Sequence, residues 1–234
     1  MNREPSLSER LNTIAELILP EGPMADVGTD HGFLPLYCLQ KDLVPFAVLS
    51  DVNEGPLGRA KALMEASEVT PDRYSLRLGS GLTVLAPFEV KTAVIAGMGG
   101  ELICRILQES PAVTGSVQRL VLQPRTRSGV LRSWLWENGW TITCERLARE
   151  RGRLSQVFAA EKGKQDPYAY PDIPDADGTL MIEFLDRELV NIRNIMDNLL
   201  RSKDPQDLQT IGTLKEKAAS LEKRREELWK KSFS

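Results

Sequence analysis

The stretch that decides the fold is residues 24–36, MADVGTDHGFLPL. It begins with an apolar run that suits a buried strand, and it turns at Gly28 into a polar segment with Asp30 and the only histidine, His31. Glycine lets the backbone turn sharply and lets a ligand come close. In an open α/β sheet, ligands bind where the carboxyl ends of the strands meet. The stretch therefore predicts a first strand and a ligand site at its end.

Apolar runs predict six further strands, over 46–52, 74–80, 92–97, 119–124, 141–148 and 154–161. Amphipathic segments between the first strands predict helices over 34–41, 55–67, 100–109 and 128–138. This alternation indicates an α/β fold with a parallel sheet covered on both faces. Only RERGR (149–153) joins the last two strands, which must pair antiparallel because a parallel crossover needs about a dozen residues. We therefore expect a seven-stranded sheet, mostly parallel, with one antiparallel strand.

Composition changes after residue 162. The proline-rich residues 163–178 predict a linker between a domain over 1–162 and a C-terminal segment over 179–234. In that segment apolar residues recur at spacings of three and four, in two runs broken near Pro205. The pattern predicts an antiparallel helical hairpin that is coiled-coil-like. Two roles stay open for the hairpin, packing onto the main domain or holding a partner.

The bulk composition restricts the class of protein. The chain is 41% hydrophobic, which is typical of a soluble globular protein. Its net charge of −3 argues against binding of nucleic acid through the overall charge of the protein. Three separated cysteines without a CxxC pair predict reduced thiols and no metal site. No apolar run approaches the roughly 20 residues of a membrane helix. We therefore expect a cytoplasmic protein without membrane contact; the oligomeric state stays open, and a monomer is compatible with the sequence.

The polar residues at the strand ends indicate which ligand the site takes. The dinucleotide motif GxGxxG is absent, and the carboxylates of Asp26 and Asp30 would repel a phosphate. Asp51 ends the second strand, where an acidic residue typically accepts hydrogen bonds from ribose hydroxyls. A cationic tail near the first two carboxylates and a ribose on the third describe S-adenosylmethionine. His31 suits a hydrogen-bonding wall of this pocket better than a catalytic role, although a histidine could do acid–base work.

Three blocks then resemble, in order, the signature blocks of the TrmK family. They are ADVGTDHGFLPLYCL (25–39), VIAGMGGELICRIL (94–107) and LVLQPRTRSGVLRSWLWENGW (120–140). The segment LSERLNTIAELI (7–18) is similar to the opening helix of that family. The resemblance covers about residues 6–161 and implies a bacterial S-adenosylmethionine-dependent methyltransferase with a Rossmann-like sheet. Such enzymes methylate N1 of adenine 22 in tRNA.

Together, the strand ends and the resemblance imply a set of cofactor-binding residues. They are Asp26, Gly28, Thr29, Asp30 and His31 on the methionine side, Asp51 and Val52 at the ribose, Gly79, Ser80, Gly81 and Leu82 by the adenine, and Gly97, Met98 and Gly99 beside the methyl group. Catalytic candidates are only weak, namely Asp30, His31 and Gln123. Two positions depart from the family pattern, since Ser80 replaces an acid or amide and Arg125 follows Gln123-Pro124 in place of an asparagine.

The fourth strand and an arginine-rich segment bear on the substrate. Enzymes that methylate the exocyclic amine of adenine tend to carry [ND]PP[YF] where this chain has GMGG (97–100), so a ring nitrogen is favoured. The acidic chain concentrates arginines between residues 119 and 153. The predicted tRNA contacts are Arg125, Arg127, Arg146, Arg149, Arg151 and Arg153. The alternative for these arginines is a solvated charge run. The alternative functions are a methyltransferase for another RNA or a small molecule, and an RNA-binding protein with weak catalysis. A nicotinamide-dependent oxidoreductase is disfavoured because GxGxxG is missing.

Overall fold

A seven-stranded sheet runs through the N-terminal part of the protein. Its strands are β1 (Met24–Val27), β2 (Ala47–Asp51), β3 (Tyr74–Leu78), β4 (Thr92–Gly99), β5 (Arg119–Thr126), β6 (Trp140–Glu150) and β7 (Arg153–Lys162). They lie in the order β3-β2-β1-β4-β5-β7-β6. Strand β7 is antiparallel to β5 and β6, and the other neighbours are parallel. The predicted sheet, with its one antiparallel strand, is confirmed.

The computed structural model describes residues 6–150, 152–163, 179–200 and 205–232. Its helices are α1 (Glu9–Ala15), α2 (Phe33–Gln40), α3 (Glu54–Ala66), α4 (Gly100–Glu109), α5 (Pro111–Ser116), α6 (Ser128–Glu137), α7 (Thr179–Leu199) and α8 (Pro205–Ser232). Helix α5 was not predicted; it is short and begins at Pro111, where the proline ring presets φ. Within these described residues, no helix is long and apolar enough to cross a membrane.

Strands β4 and β5 each extend two residues beyond the predicted ends. They pair with each other as far as Gly99 and Thr126, and the register shifts around Met98. The added ladder satisfies backbone groups that would otherwise end in a loop. Arg125 is therefore a strand residue at the sheet edge that carries the site, and not a residue of the following loop.

Buried apolar side chains form a cluster on each face of the sheet. One cluster joins Ala25 and Val27 to residues of α4 and α6, and the other joins Met24 to residues of α1, α2 and α3. Because side chains alternate along a strand, Asp26 shares the face of Met24 and points towards α1 and α2. The alternation that builds the core thus also buries one carboxylate at the end of β1.

The order of the strands places a crevice beside this carboxylate. Strands β2 and β3 lie on one side of β1, and the chain then crosses to β4 on the other side. In open α/β sheets such a switch point leaves a crevice at the carboxyl ends of the two central strands. Here these are β1 and β4, and the stretches that contain their carboxyl ends and the residues just after them are MADVGTDHG (24–32) and IAGMGG (95–100).

Residues 1–173 and 174–234 form two compact units. In the second unit α7 and α8 lie side by side and are joined by ion pairs between Arg193 and Glu222, 3.1 Å apart, and between Arg225 and Asp186. The predicted C-terminal helices are therefore present. Residues 164–178, most of the predicted linker, lie outside the described residues, so the domain limits at 162 and 179 stay a prediction.

Candidate cofactor and substrate site

A cavity of about 570 Å³ opens at the carboxyl ends of β1 and β4. The turn after β1 and residues Ala96 and Gly97 of β4 form its floor. Residues of the N-terminal segment and α1 form one wall, and Arg125 and Glu150 contribute from the ends of β5 and β6. The cavity lies at the predicted position, and it brings together segments that are more than a hundred residues apart in the chain.

Asp26 is the buried charge of this cavity. The residue is only 7% exposed, and its Oδ2 accepts a hydrogen bond of 2.7 Å from the Thr29 hydroxyl. Burial raises the pKa of Asp26 from 3.8 to about 6, and the Thr29 hydrogen bond and the nearby Arg10 charge oppose this rise. Desolvation disfavours a carboxylate that no cation neutralises directly. A cationic ligand in the cavity would supply that charge, which fits the amino group and sulfonium of S-adenosylmethionine.

Gly28 turns the chain from β1 into the site. Its φ of +76° is unfavourable for other residues, and an added Cβ would lie 2.4 Å from Cε of Met98. The Gly28 and Thr29 N–H groups both donate to the Ser50 carbonyl, at 2.8 and 3.0 Å, which fixes the turn to β2. The absence of a side chain at Gly28 therefore keeps the turn close to the end of β4.

Asp30 and His31 differ from Asp26 in their surroundings. The Asp30 side chain is 70% exposed and its Oδ1 lies 2.9 Å from Nη2 of Arg59, a residue of α3. His31 is half-exposed, and its ring centroid lies 5.6 Å from that of Phe33. Both residues line the cavity. The site therefore combines a buried carboxylate with an exposed one that already has a partner.

Gln123 holds the end of β4 in place. It is 2% exposed, and its Oε1 accepts a hydrogen bond of 3.0 Å from the Gly97 N–H. Its Nε2 donates to the Pro124 carbonyl at 3.2 Å. Arg10 Nη1 lies 3.5 Å from the same Oε1. Because both ends of the amide are engaged, Gln123 suits a positioning role better than a catalytic one.

The residues predicted to hold the adenosine lie at the ends of β2 and β3. Asp51 Oδ1 accepts a hydrogen bond of 2.8 Å from the Asn53 N–H, and the Asp51 carbonyl accepts one of 2.9 Å from Gly79. Val52 is 63% exposed, whereas Leu82 is fully buried in the core. The structure thus brings Asp51 and Gly79 together at neighbouring strand ends, although neither lines the cavity, and only the backbone of Leu82 could contact a ligand.

The arginine-rich segment presents less free charge than its sequence suggests. Arg119 pairs with Glu161, and Arg132 lies 2.8 Å from the fully buried Glu145. Arg125 and Arg127 are exposed, and only the former lines the cavity.

The other predicted tRNA contacts lie on or near β6. Arg146 and Arg149 are half-buried residues of that strand. Arg151 and the side chain of Arg153 are outside the described part of the chain. The structure therefore places one of the predicted arginines, Arg125, in the cavity itself.

Arg10 lines the cavity and was not among the predicted site residues. Its Nε donates to Glu150 Oε2 at 2.8 Å, and its charge opposes the rise that burial causes in the pKa of Asp26. Ser8 begins α1 as its N-cap, its hydroxyl accepting from the Leu11 N–H at 3.4 Å, which sets the direction of the helix. The sequence signal for Arg10 was its place in the segment that resembles the opening helix of the family, but no local pattern connects residue 10 to residues 26 and 150.

Comparison with known proteins identifies the family. A family model described as a methyltransferase domain matches residues 7–158. The tRNA (adenine(22)-N(1))-methyltransferase of Bacillus subtilis strain 168 is 33% identical over 225 residues, which are 96% of this chain and 92% of that protein. The chain belongs to the TrmK family. The crystal structure of the B. subtilis TrmK, an m1A22 tRNA methyltransferase, matches with a TM-score of 0.78 at 30% identity and covers 94% of this chain and 99% of that one.

A second solved structure is informative about the ligand of a TrmK-like protein. It is a Streptococcus pneumoniae protein in complex with S-adenosyl-L-methionine, with a TM-score of 0.73 at 25% identity over 93% of this chain and 99% of that chain. The resemblance to the TrmK family and the methyltransferase fold are therefore confirmed.

Proposed function

We propose that this chain transfers the methyl group of S-adenosylmethionine to N1 of adenine 22 in tRNA. The observation that carries the proposal is the cavity at the switch point of a TrmK-family chain, with a buried carboxylate at its floor. The relative of known activity, 33% identical over almost the whole chain, supports this substrate and this position. The cytoplasmic location and the monomeric state stay predictions.

The methionine end of the cofactor is assigned to the cavity. When bound, S-adenosylmethionine supplies a methyl group activated by its positively charged sulfur. Asp26 faces the positive charge of the cofactor, and Arg10 is placed to pair with the carboxylate of its methionine part. The wall around them is formed by Gly28, Thr29, Asp30 and His31. Gly97, Met98 and Gly99 border the methyl group. A carboxylate and a guanidinium in the same cavity match the zwitterionic end of this cofactor.

The adenosine end is assigned to the neighbouring strand ends. Asp51 accepts hydrogen bonds from the ribose hydroxyls, and the exposed Val52 covers one side of the nucleoside. The backbone of residues 79–82 borders the adenine, where Ser80 offers a hydroxyl in place of the acid or amide of the family pattern. The backbone bond between Asp51 and Gly79 supports this assignment because it holds the two halves of the nucleoside site together.

Methyl transfer here depends on position more than on proton transfer. Adenine N1 already carries a lone pair, so the displacement needs a nucleophile held in line with the methyl group. Gln123 serves this geometry by fixing Gly97 at the end of β4. The product base is cationic, and the carboxylates of Asp26 and Glu150 make the cavity tolerant of that charge. No step requires Asp30, His31 or Gln123 to act as a base.

Arg125 is assigned to the tRNA backbone, with Arg127, Arg146 and Arg149 as further contacts. It is exposed and lines the cavity, so a nucleotide entering the site brings its phosphate within reach of the guanidinium. We expect Arg125→Ala to weaken tRNA binding severalfold and to lower the slope of log K against log salt by about 1, the value for one lost phosphate contact. Affinity for S-adenosylmethionine should not change.

The measurement is tRNA binding by filter retention or fluorescence at four salt concentrations. Arg105→Ala is the matched control because Arg105 is an exposed arginine of α4 that does not line the cavity. An unchanged salt slope in Arg125→Ala would remove Arg125 from the tRNA interface.

The proposed function is tested by transfer of tritiated methyl from S-adenosylmethionine to unmodified bacterial tRNA with adenine at position 22, beside the same tRNA with guanine there. We expect label on the adenine form alone, and nuclease digestion should yield 1-methyladenosine. Label on both forms would show that the methylated base is not at position 22. Label on neither, with the cofactor bound, would favour another substrate or an RNA-binding protein without turnover.

A further inference from the structure

Phe33 presents an aromatic ring to the cavity that the cofactor assignment does not use. It is the first residue of α2 and is 45% exposed, whereas Leu34 and Leu36 in the same turn are 3% and 2% exposed. Helix α2 therefore satisfies its apolar packing without this ring. An aromatic side chain that remains open within a concave site offers a flat apolar surface to a ligand.

The ring of Phe33 lies next to that of His31. The His31 ring lies 5.6 Å away, centroid to centroid, at an interplanar angle of 33°. Gly32, between them, has a φ of +76° and an added Cβ there would lie 3.0 Å from Cβ of Ala60, so the turn that pairs the two rings is packed against α3. The two rings thus lie side by side on the cavity wall.

The position of this surface separates it from the nucleoside end of the cofactor. The same cavity is lined by Gly97, where the methyl group is assigned, and by Arg125, where a phosphate is assigned. Asp51 and residues 79–82, which are assigned to the adenosine, do not line it. The aromatic surface therefore shares the cavity with the methyl end and the tRNA contact.

We propose that Phe33, supported by His31, is the surface on which the target adenine stacks. The inference rests on the proposed function, because it names the residue that receives the base in that reaction. A base inside folded RNA must be unstacked before its N1 can reach a methyl group, and stacking on a protein ring replaces the contacts that it loses. The face of Phe33 also suits the cationic 1-methyladenine product, since aromatic faces attract cations.

The test compares Phe33→Leu, Phe33→Tyr and Phe88→Leu with the wild type. Phe88 is a matched control because it is also an exposed phenylalanine, 85% exposed, and it does not line the cavity. Loss of stacking on one base is expected to lower kcat/KM for adenine-22 tRNA by about 5- to 150-fold in Phe33→Leu. Phe33→Tyr keeps the ring and should retain activity close to that of the wild type, and Phe88→Leu should be unchanged.

Cofactor affinity separates stacking of the substrate from stacking of the cofactor. The Kd for S-adenosylmethionine, measured by calorimetry, should be the same in Phe33→Leu and the wild type. A raised cofactor Kd with unchanged tRNA kinetics would overturn the proposal and assign Phe33 to the cofactor. Equal tRNA kinetics in Phe33→Leu and the wild type would overturn it as well.

A direct titration keeps this result distinct from failure of the proposed function. Protein with labelled phenylalanine rings is saturated with S-adenosylhomocysteine and titrated with adenosine 5′-monophosphate, while ring proton shifts are followed by NMR. The Phe33 ring signals are assigned as those that are missing from the spectrum of Phe33→Tyr. If adenine stacks on this ring, these signals should shift upfield. If the wild type methylates neither tRNA, the proposed function fails, and the presence or absence of these shifts still decides whether Phe33 stacks a purine.

Discussion

Asp26→Asn is expected to weaken S-adenosylmethionine binding by about 10- to 100-fold, which is the loss of one charge-assisted hydrogen bond in a buried site. The substitution keeps the shape of the side chain and an acceptor for the Thr29 hydroxyl, which lies 2.7 Å from Asp26 Oδ2. It removes only the negative charge that faces the cationic end of the cofactor. Calorimetric titration of both proteins with S-adenosylmethionine at pH 8 measures the effect.

The same substitution should stabilise the ligand-free protein. Burial raises the pKa of Asp26 from 3.8 to about 6, so folding favours the protonated form. The corresponding stability is fully present below pH 3.8 and is lost as the pH rises through about 6, at a cost of about 3 kcal/mol. Asparagine is neutral throughout. The Tm of Asp26→Asn should therefore exceed that of the wild type at pH 8, and the difference should shrink towards pH 4.

The pH dependence of binding is the second signature of Asp26. In the wild type, affinity for the cationic end should rise as the pH increases through about 6 and Asp26 ionises. Asp26→Asn should lack this step. Asp30→Asn is the control for the stability measurement because Asp30 is 70% exposed and lies 2.9 Å from Arg59, so removing its charge should not raise the Tm at pH 8. Wild-type affinity in Asp26→Asn would show that the buried carboxylate does not face the cofactor.

Gly100→Ala is expected to destabilise the protein by about 3 kcal/mol through overpacking. An added Cβ at Gly100 would lie 2.4 Å from the carbonyl oxygen and 3.0 Å from the carbonyl carbon of Arg127, and 3.1 Å from the carbonyl oxygen of Thr126. These are backbone atoms, so no rotamer change can relieve the clash. The start of α4 and the end of β5 must move apart, and the hydrogen bond between Gly97 and Gln123 lies beside them.

Thermal unfolding and methyl transfer measure this effect. For a chain of this size, a loss of about 3 kcal/mol lowers Tm by about 6–12 °C. Activity should fall as well, because the ends of β4 and β5 carry Gly97 and Arg125. Gly115→Ala is the matched control, since an added Cβ there meets nothing within 4 Å and alanine favours the helix of α5. Equal Tm values for Gly100→Ala and the wild type would contradict the close approach.

Local patterns were sufficient for most of the fold. The alternation of apolar runs and amphipathic segments predicted seven strands. The connection predicted at 149–153 was too short for a parallel crossover, so β7 was expected to run antiparallel to β6, as it does. The helix α5 was missed because its six residues are too few for a periodic signal. The ends of β4 and β5 were placed two residues short because their last pairs depend on each other and not on the residues around them.

In the candidate site, too, some features were predicted from local patterns and others depend on tertiary contacts. The turn at Gly28 and the acid at the end of β2 pointed to the ligand and the sheet edge, because chain order and strand direction place consecutive parallel strand ends together. The sequence could not distinguish Asp26 from Asp30, which are four residues apart. Strand alternation buries the first, and a positive φ of 49° accompanies the exposed position of the second beside Arg59.

The sequence by itself determined the strands, the longer helices, their order along the chain, the antiparallel strand and the family, since these depend on residues close in the chain or on motifs that keep their spacing. Only the tertiary structure decided that Arg10 reaches Glu150 and Gln123, that Glu145 neutralises Arg132, and that Phe33 remains open in the cavity. Arg10 and Glu150 are 140 residues apart, and their contact exists because α1 packs against β6. Burial and charge pairing follow from such neighbours across the sheet, and no local pattern records them.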